Sequence, residues 1–376
     1  MAHVRERSRG SLRVLGRERG RQFSQAQPLS GGTSRPCVCA VAPLECPATS
    51  GWRSAPSRRT LSFRARPLDP QMPLLHLLFW PEMRLHNDFH FGTVMDHFDS
   101  GIVFITGGTS GLGLASAVAL AKHGANLALF SSGATQPEAA LETVRQARKR
   151  EGQHVTWFCA NVADRDQVLT AFAAARQQIG EPDIVIHMAG IGGLAPMADM
   201  PLTDFDRIMQ VNVYGTRHVA EAALLSMRPR RCGKIVLAGS LGGWVPVYGY
   251  TAYGTSKFAV VGFAQCLRYE LKPLGVNVAC FCPGEVETPG LFAEREHTHP
   301  AAVVLKQIVG TLPLDKAVKS LLRGIEADRF LIVPGLRAKL IYLALRLTPL
   351  PIWHAVTDTL VGYALRKSQS LNDRSS

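Results

Sequence analysis

The chain has 376 residues, 46% of them hydrophobic and 19% charged, enough apolar material to bury a globular core. Its net charge of +13 is unevenly spread, because residues 1–94 hold 14 arginines, no lysine and six acidic residues. Most of the excess therefore lies outside the patterned part of the chain and gives no argument for a nucleic-acid partner. The cysteines (Cys37, Cys39, Cys46, Cys159, Cys232, Cys266, Cys280 and Cys282) show neither CxxC pairs nor Cys/His ligand spacing, which argues against a zinc site and for a reducing, cytoplasmic setting.

Residues 1–94 lack hydrophobic periodicity and are rich in Arg, Ser, Pro and Gly, so disorder is the expectation. Glu6, Glu18 and the want of an amphipathic helix argue against a transit peptide. A second reading treats the segment as translated upstream sequence, with the functional start at Met83 or Met95. The apolar stretch from Pro73 to Phe79 is too short to span a bilayer, which takes ~20 residues.

From Gly101 the pattern changes. Short β-branched runs predict strands at Ile102–Thr106, Asn126–Phe130, His154–Cys159, Ile184–His187, Lys234–Ala238, Asn277–Cys282 and Phe330–Val333. Helical periodicity lies between them, at Leu112–His123, Glu138–Arg150, Gln167–Ile179, Thr203–Met227 and Ala252–Lys272. Strands alternating with helices imply βαβ units, hence an α/β, Rossmann-type doubly wound parallel sheet of about seven strands over residues 95–335. Such a sheet binds ligands at the carboxyl ends of its strands. Residues 336–376 form an apolar helical extension. In Leu336–Lys367 the charges Arg337, Lys339, Arg346, Asp358 and Arg366 break up the apolar run, and Pro349 and Pro351 interrupt its helix. That excludes a spanning segment and leaves open peripheral membrane contact or ordinary packing on the domain or on a second subunit.

The first strand ends in Thr106-Gly107-Gly108-Thr109-Ser110-Gly111-Leu112-Gly113, and a helix follows. Gly107, Gly111 and Gly113 allow a sharp turn and close approach of a pyrophosphate, while the turn and helix start through Thr109 and Ser110 offer N–H groups to it. After the second strand, an acidic residue would bind the adenosine ribose and repel a 2′-phosphate. Ser131 and Ser132 occupy that place, so NADP(H) is permitted. Asn161-Val162 after the third strand form a candidate edge of the adenine pocket, with a plain turn role as the alternative for Asn161.

Tyr253-Gly254-Thr255-Ser256-Lys257 puts a phenol and an ammonium on one helix face. A Lys cation favours the phenolate and makes proton transfer feasible near neutral pH. Ser240, at the end of the fifth predicted strand, can hydrogen-bond a carbonyl oxygen.

With those residues in this order, Gly101 to Thr288 resembles the short-chain dehydrogenase/reductase family. The resemblance implies a glycine motif at Gly107, Gly111 and Gly113, and a catalytic tetrad of Asn212, Ser240, Tyr253 and Lys257. In that family the Asn helps hold a water linked to the Lys, and the Lys also binds the nicotinamide ribose. Ala189 and Gly190 leave room for the cofactor, and Pro283-Gly284-Glu285-Val286-Glu287-Thr288 matches the family's proline–glycine segment, so Pro283, Gly284, Val286 and Thr288 are expected to line the cofactor site. His187-Met188 depart from the usual Asn-Asn, and His187 is read as a packing variant.

Within the family the chain is similar to 3-ketodihydrosphingosine reductases, through Gly249–Ala259, Glu287–Gly290, Phe292-Ala293-Glu294 and Thr298-His299-Pro300. Those enzymes reduce the 3-keto group of a long-chain sphingoid base with NADPH at a membrane surface. They carry an Arg where this chain has Ser132. The resemblance implies NADPH-dependent reduction of a hydrophobic, lipid-like ketone, in a homo-oligomer peripheral to a membrane through 336–367. Steroid, retinoid or 3-oxoacyl substrates remain the rival enzyme reading. A non-catalytic NADP-binding scaffold is the rival of another class, against which the complete tetrad argues.

Overall fold

The structure is a computed structural model that describes residues 98–291 and 298–372. The expectations of disorder or upstream origin for residues 1–94, and the Phe292-Ala293-Glu294 stretch, lie outside the described residues.

The elements run β1 (Ile102–Thr106), α1 (Gly111–Lys122), β2 (Asn126–Ser131), α2 (Glu138–Gln146), β3 (Val155–Cys159), α3 (Arg165–Ile179) and β4 (Ile184–His187). Then come α4 (Leu202–Met209), a π turn (Gln210–Tyr214), α5 (Gly215–Arg230), β5 (Lys234–Ala238), α6 (Thr251–Leu271), β6 (Asn277–Phe281) and the short β7 (Glu285–Val286). The chain ends with α7 (Pro300–Val309), β8 (Thr311–Leu312), α8 (Leu314–Glu326), β9 (Leu331–Ile332), α9 (Leu336–Leu347) and α10 (Leu350–Asn372).

Seven parallel strands pair in the order β3-β2-β1-β4-β5-β6-β9, and β7 and β8 make a separate two-stranded sheet. The order reverses between β1 and β4, which opens a crevice beyond their carboxyl ends. The strands read as continuous apolar runs because both faces of the sheet are covered. One core layer stacks Phe104, Phe130 and Phe172 with α3, α5 and α6, and the opposite layer packs α1, α2 and α8 on Val103, Ile105 and Ile186. Asp164 caps α3 by accepting from the N–H groups of Asp166 and Gln167 at 3.0 and 3.1 Å.

Two elements depart from their sequence patterns. The helix expected over Glu138–Arg150 stops at Gln146. Beyond it, Arg150 turns back to pair with Asp99 and to donate to Gly124 O at 3.0 Å, contacts a continuing helix would not allow. The helix expected over Thr203–Met227 is divided by a π turn at Gln210–Tyr214. Within it the Thr216 hydroxyl donates to Asn212 O at 2.6 Å, a side-chain bond to the preceding turn that commonly bends helices. Gly215 then packs so tightly that a Cβ would lie 2.9 Å from Val162 Cγ2.

The C-terminal extension is two helices, parted at Pro349 as the prolines imply. Ala338 of α9 enters the main core, and Ala364 of α10 packs on Ala301 and Val304 of α7. No described helix is long and apolar enough to cross a membrane.

Candidate active site

The glycine-rich turn holds its shape because side chains are absent from it. Gly107 adopts φ +67°, and a Cβ there would lie 2.7 Å from Ala189 N. A Cβ on Gly113 would meet Gly107 O at 2.0 Å. Gly111, at φ +49°, faces Thr288, whose Cγ2 would be 3.8 Å from its Cβ. Ser110 caps α1 without using its side chain, and the first turn of α1 carries no acidic residue. The start of α1 thus keeps its N–H groups and positive dipole end toward the crevice, as a pyrophosphate requires.

Beyond β2 and β3 the residues spread along the same strand-end edge. The Ser131 hydroxyl accepts from the Trp157 indole N–H at 2.8 Å, and Ser132 is exposed. Asn161 Oδ1 accepts from Ala163 N at 3.1 Å, so its side chain holds the local turn. Val162 is buried, with its carbonyl 3.0 Å from His218 Nδ1. These four lie outside the cavity at the ends of β5 and β6.

That cavity, of about 410 Å³, is lined by Gly190, Ser240, Tyr253, Lys257, Pro283, Gly284, Val286 and Thr288, all singled out in the sequence. Its volume suits a small-molecule site. Lys257 is buried, its Nζ donates to Ala238 O at 2.9 Å, and the ammonium lies 5.7 Å from the centre of the Tyr253 ring. Burial pulls its pKa down to about 8, against an opposing pull from the thiols of Cys280 and Cys282. Those two cysteines are buried neighbours on and just past β6, with sulfurs 3.5 Å apart. The Ser240 backbone is extended, and its Oγ accepts from Gly242 N at 3.0 Å.

Asn212 sits one layer behind the cavity wall. Its Oδ1 accepts from Ile191 N, and its Nδ2 donates to Ile191 O and Ser256 Oγ, all at 2.9 Å. Ser256 Oγ in turn donates to Tyr253 O at 2.7 Å. The wide turn at Asn212 therefore ties the loop after β4 to the helix that carries Tyr253 and Lys257. Gly190 lies between them, where a Cβ would come within 3.2 Å of Asn212 Oδ1 and 3.5 Å of Lys257 Nζ.

His187 is buried at the end of β4. Its Nδ1 is 2.7 Å from Thr106 Oγ1, and its Nε2 has no hydrogen-bond partner among the described residues. Burial, helped by the charge of Lys257, pulls its pKa down to about 3, so the ring is neutral at ordinary pH.

Sequence reasoning missed an ion pair in the cavity wall. Lys306 Nζ of α7 lies 2.7 Å from Glu285 Oε1 and 5.1 Å from the centre of the Tyr250 ring, with both charged side chains only 11% exposed. The signal was present as a lone lysine in the apolar run Ala301–Val309 and a glutamate directly after Pro283-Gly284. Nothing in either run said that the two would meet.

A doubly wound sheet, a glycine turn under its first helix, and a Ser, Tyr and Lys on one cavity wall define a nucleotide-binding α/β protein with a polar reaction centre. The sequence family described as short chain dehydrogenase matches residues 101–299, and the chain belongs to that family. Membership implies a nicotinamide cofactor, and the tight turn that Gly107 and Gly113 make possible, at a helix start free of acidic residues, fits its pyrophosphate. The chain is 32% identical over 199 residues to a 3-ketodihydrosphingosine reductase of Bos taurus, a stretch covering 53% of this chain and 60% of that protein. It is also 32% identical over 213 residues to the oxidoreductase UcpA of Escherichia coli (strain K12), covering 56% of this chain and 79% of that one. Levodione reductase shares its fold, with a TM-score of 0.59 at 24% identity over 64% of this chain and 99% of that chain.

Proposed function

We propose that residues 95–335 form an oxidoreductase domain that reduces a ketone to a secondary alcohol with NADP(H). In this reading the substrate is a long-chain keto lipid such as 3-ketodihydrosphingosine, and the protein works as a homo-oligomer at a membrane surface. The observation that carries the reading is the cavity wall that joins Ser240, Tyr253 and the buried Lys257. The sphingoid-reductase relatives and the apolar cavity lining, with Leu241, Val245, Leu291, Leu305 and Val309, support the lipid-like substrate.

A bound reduced nicotinamide supplies the hydride. Gly107, Thr109, Ser110, Gly111 and Gly113 would hold its pyrophosphate at the start of α1. Ser131 and Ser132 would face the adenosine ribose, with Asn161 and Val162 at the adenine edge. Ala189, Gly190, Pro283, Gly284, Val286 and Thr288 would line the nicotinamide end. Ser240 Oγ donates a hydrogen bond to the substrate carbonyl oxygen, and Tyr253 delivers the proton to that oxygen as charge develops on it. The Lys257 ammonium next to Tyr253 stabilises the phenolate left behind. Asn212 holds Ile191 and Ser256 in place and so keeps Tyr253 and Lys257 in register with the loop after β4. The absence of a carboxylate at Ser131 and Ser132 supports NADP(H).

The test is a panel of keto lipids, steroids, retinoids and 3-oxoacyl thioesters assayed with NADPH and NADH. Turnover of long-chain 3-keto amines with NADPH, well above the others, is the expected result. Preference for another class corrects the substrate, and absence of turnover with every ketone, together with intact NADPH binding, would leave a scaffold.

A further inference from the structure

We infer that the outward face of α9 docks on an anionic membrane surface. The inference deepens the reading of a protein that works at a membrane by naming the surface and the lipid charge. Leu336, Leu340, Leu343 and Leu347 are 73%, 55%, 50% and 73% exposed. At i, i+4, i+7 and i+11 they fall within about 60° of helix arc, so they form one stripe. The opposite side of the same helix is also apolar and already has its partners. Ala338 is buried in the main core, and the Tyr342 ring packs edge-on against Trp244 at 5.1 Å. A helix apolar on both sides, with only one side covered, leaves a stripe that needs its own partner.

The charges around the stripe decide which partner. Lys339 and Arg346 flank it on one side and Arg337 on the other, all exposed, and no acidic residue occurs from Leu336 to Thr357. Leucines bordered by long cationic side chains match the boundary of an anionic bilayer, where stems and leucines bury while the charges meet headgroups. A second copy fits poorly. A two-fold contact through this face would set Arg337, Lys339 and Arg346 against their own images with no carboxylate between them. The first acidic residue, Asp358, lies on α10. There it falls on the far side of the helix from the exposed Ile352, Val356 and Tyr363, while Arg366 and Lys367 flank that second stripe.

Docking here would bring lipid to the substrate side of the molecule. The Trp244 that packs on Tyr342 follows the Ser240 loop. The helix α10 packs on α7, whose Leu305, Lys306 and Val309 line the cavity.

The test is flotation of the full chain with vesicles, without substrate or cofactor, so that its outcome is independent of turnover. The chain should float with phosphatidylcholine–phosphatidylserine vesicles and much less with phosphatidylcholine alone, and high salt should weaken binding. The Leu340→Glu/Leu343→Glu variant should lower the bound fraction roughly tenfold or more. Lys339→Glu/Arg346→Glu touches only exposed cations, should melt like the unaltered chain, and should lower binding to the anionic vesicles by a similar factor. Equal flotation of both variants and the unaltered chain overturns the inference, as does failure of the unaltered chain to float. A shift of the leucine variant to a smaller oligomer with vesicle binding unchanged overturns it in favour of a second copy.

Discussion

A Cβ on Gly113 would stand 2.0 Å from Gly107 O, and Lys257 beside the same strand ends is 6% exposed; along α9, Leu336 and Leu347 are 73% exposed. At the strand ends Gly107 and Gly113 leave no room for a side chain, and polar groups are tied in chains such as Ile191–Asn212–Ser256–Tyr253. The C-terminal flank is built from side chains, with apolar helices laid over α7 and much of their surface left in water. The first construction holds its polar side chains at set separations, as proton transfer demands. The second tolerates change and can be shaped to a substrate or a surface. In the proposed reading, chemistry falls to the first region and substrate or surface contact to the second.

The largest effect should come from the smallest change at the rigid end. Tyr253→Phe removes one oxygen from the cavity wall, and ketone reduction should fall by ~10²–10⁴-fold, the usual worth of a positioned acid. Cofactor binding and the thermal melt should stay near those of the unaltered protein, because the backbone ties through Ser256 do not involve the phenol. Turnover within a few-fold of the unaltered enzyme would remove Tyr253 from the acid role and with it the contrast drawn above.

At the adenosine end the rigid region should be tunable. Ser131 accepts a hydrogen bond from Trp157 Nε1 at 2.8 Å, and an Asp there keeps an acceptor while adding a charge. Ser131→Asp should therefore fold, and should lower kcat/KM for NADPH relative to NADH by about tenfold or more through repulsion of the 2′-phosphate. Measuring kcat/KM for both cofactors decides it. An unaltered enzyme that already prefers NADH would overturn the NADP(H) reading.

The rigid region was legible in the sequence because its constraints are local. Gly107, Gly111 and Gly113 announce a turn by what they lack, and Tyr253 and Lys257 share a face by spacing alone. The seven main strands could be read because each is a short apolar run between helical periods. What escaped were features that depend on meetings across the chain. The π turn at Asn212 arises where a Thr216 hydroxyl and the crowding of Gly215 against Val162 act on an otherwise ordinary helical pattern. The Glu285–Lys306 pair joins β7 to α7, and the leucine stripe of α9 is visible only once Ala338 and Tyr342 have been assigned to the core side. In the sequence those leucines were part of an apolar stretch with several open readings.

A smaller effect should separate the two regions by pH. His187 is buried and its pKa is pulled down to about 3 from an ordinary 6.5, chiefly by burial and then by Lys257. The unfolded chain takes up a proton near pH 6.5 that the folded chain refuses. The stability this group contributes is therefore complete above pH 6.5 and is lost as pH falls from there toward 3. His187→Asn keeps a polar group next to Thr106 Oγ1 and removes the titration. Between pH 6.5 and 4 the melting temperature of the unaltered protein should fall faster than that of the variant. Parallel curves would mean that the ring gains a proton in the fold, through an environment wetter than its burial implies. The exposed flank, with its cations in water, should contribute little to this difference.

The last comparison, in which the first truncation should have no effect at all, concerns where the rigid region begins. Residues 1–94 precede the first described residue, and deleting them should leave the melt and the kinetics unchanged. The boundary should be sharp, because Phe98 is 1% exposed, packs in the layer of α1 and lies 6.1 Å from the His123 ring. Asp99 next to it pairs with Lys149 at 2.8 Å and with Arg150. These pairs hold the Asp99 carboxyl below its ordinary pKa, although their exposure makes them a small part of the stability. Losing the Phe98 ring is the larger matter, since removal of a buried aromatic costs ~3–5 kcal/mol. A chain starting at residue 95 should therefore melt with the full protein, and one starting at residue 101 should melt well below both. Scanning calorimetry on the three forms checks it. A loss of stability already at residue 95 would mean that the arginine-rich segment packs on the domain, and coincidence of all three melts would mean that Phe98 does not anchor β1.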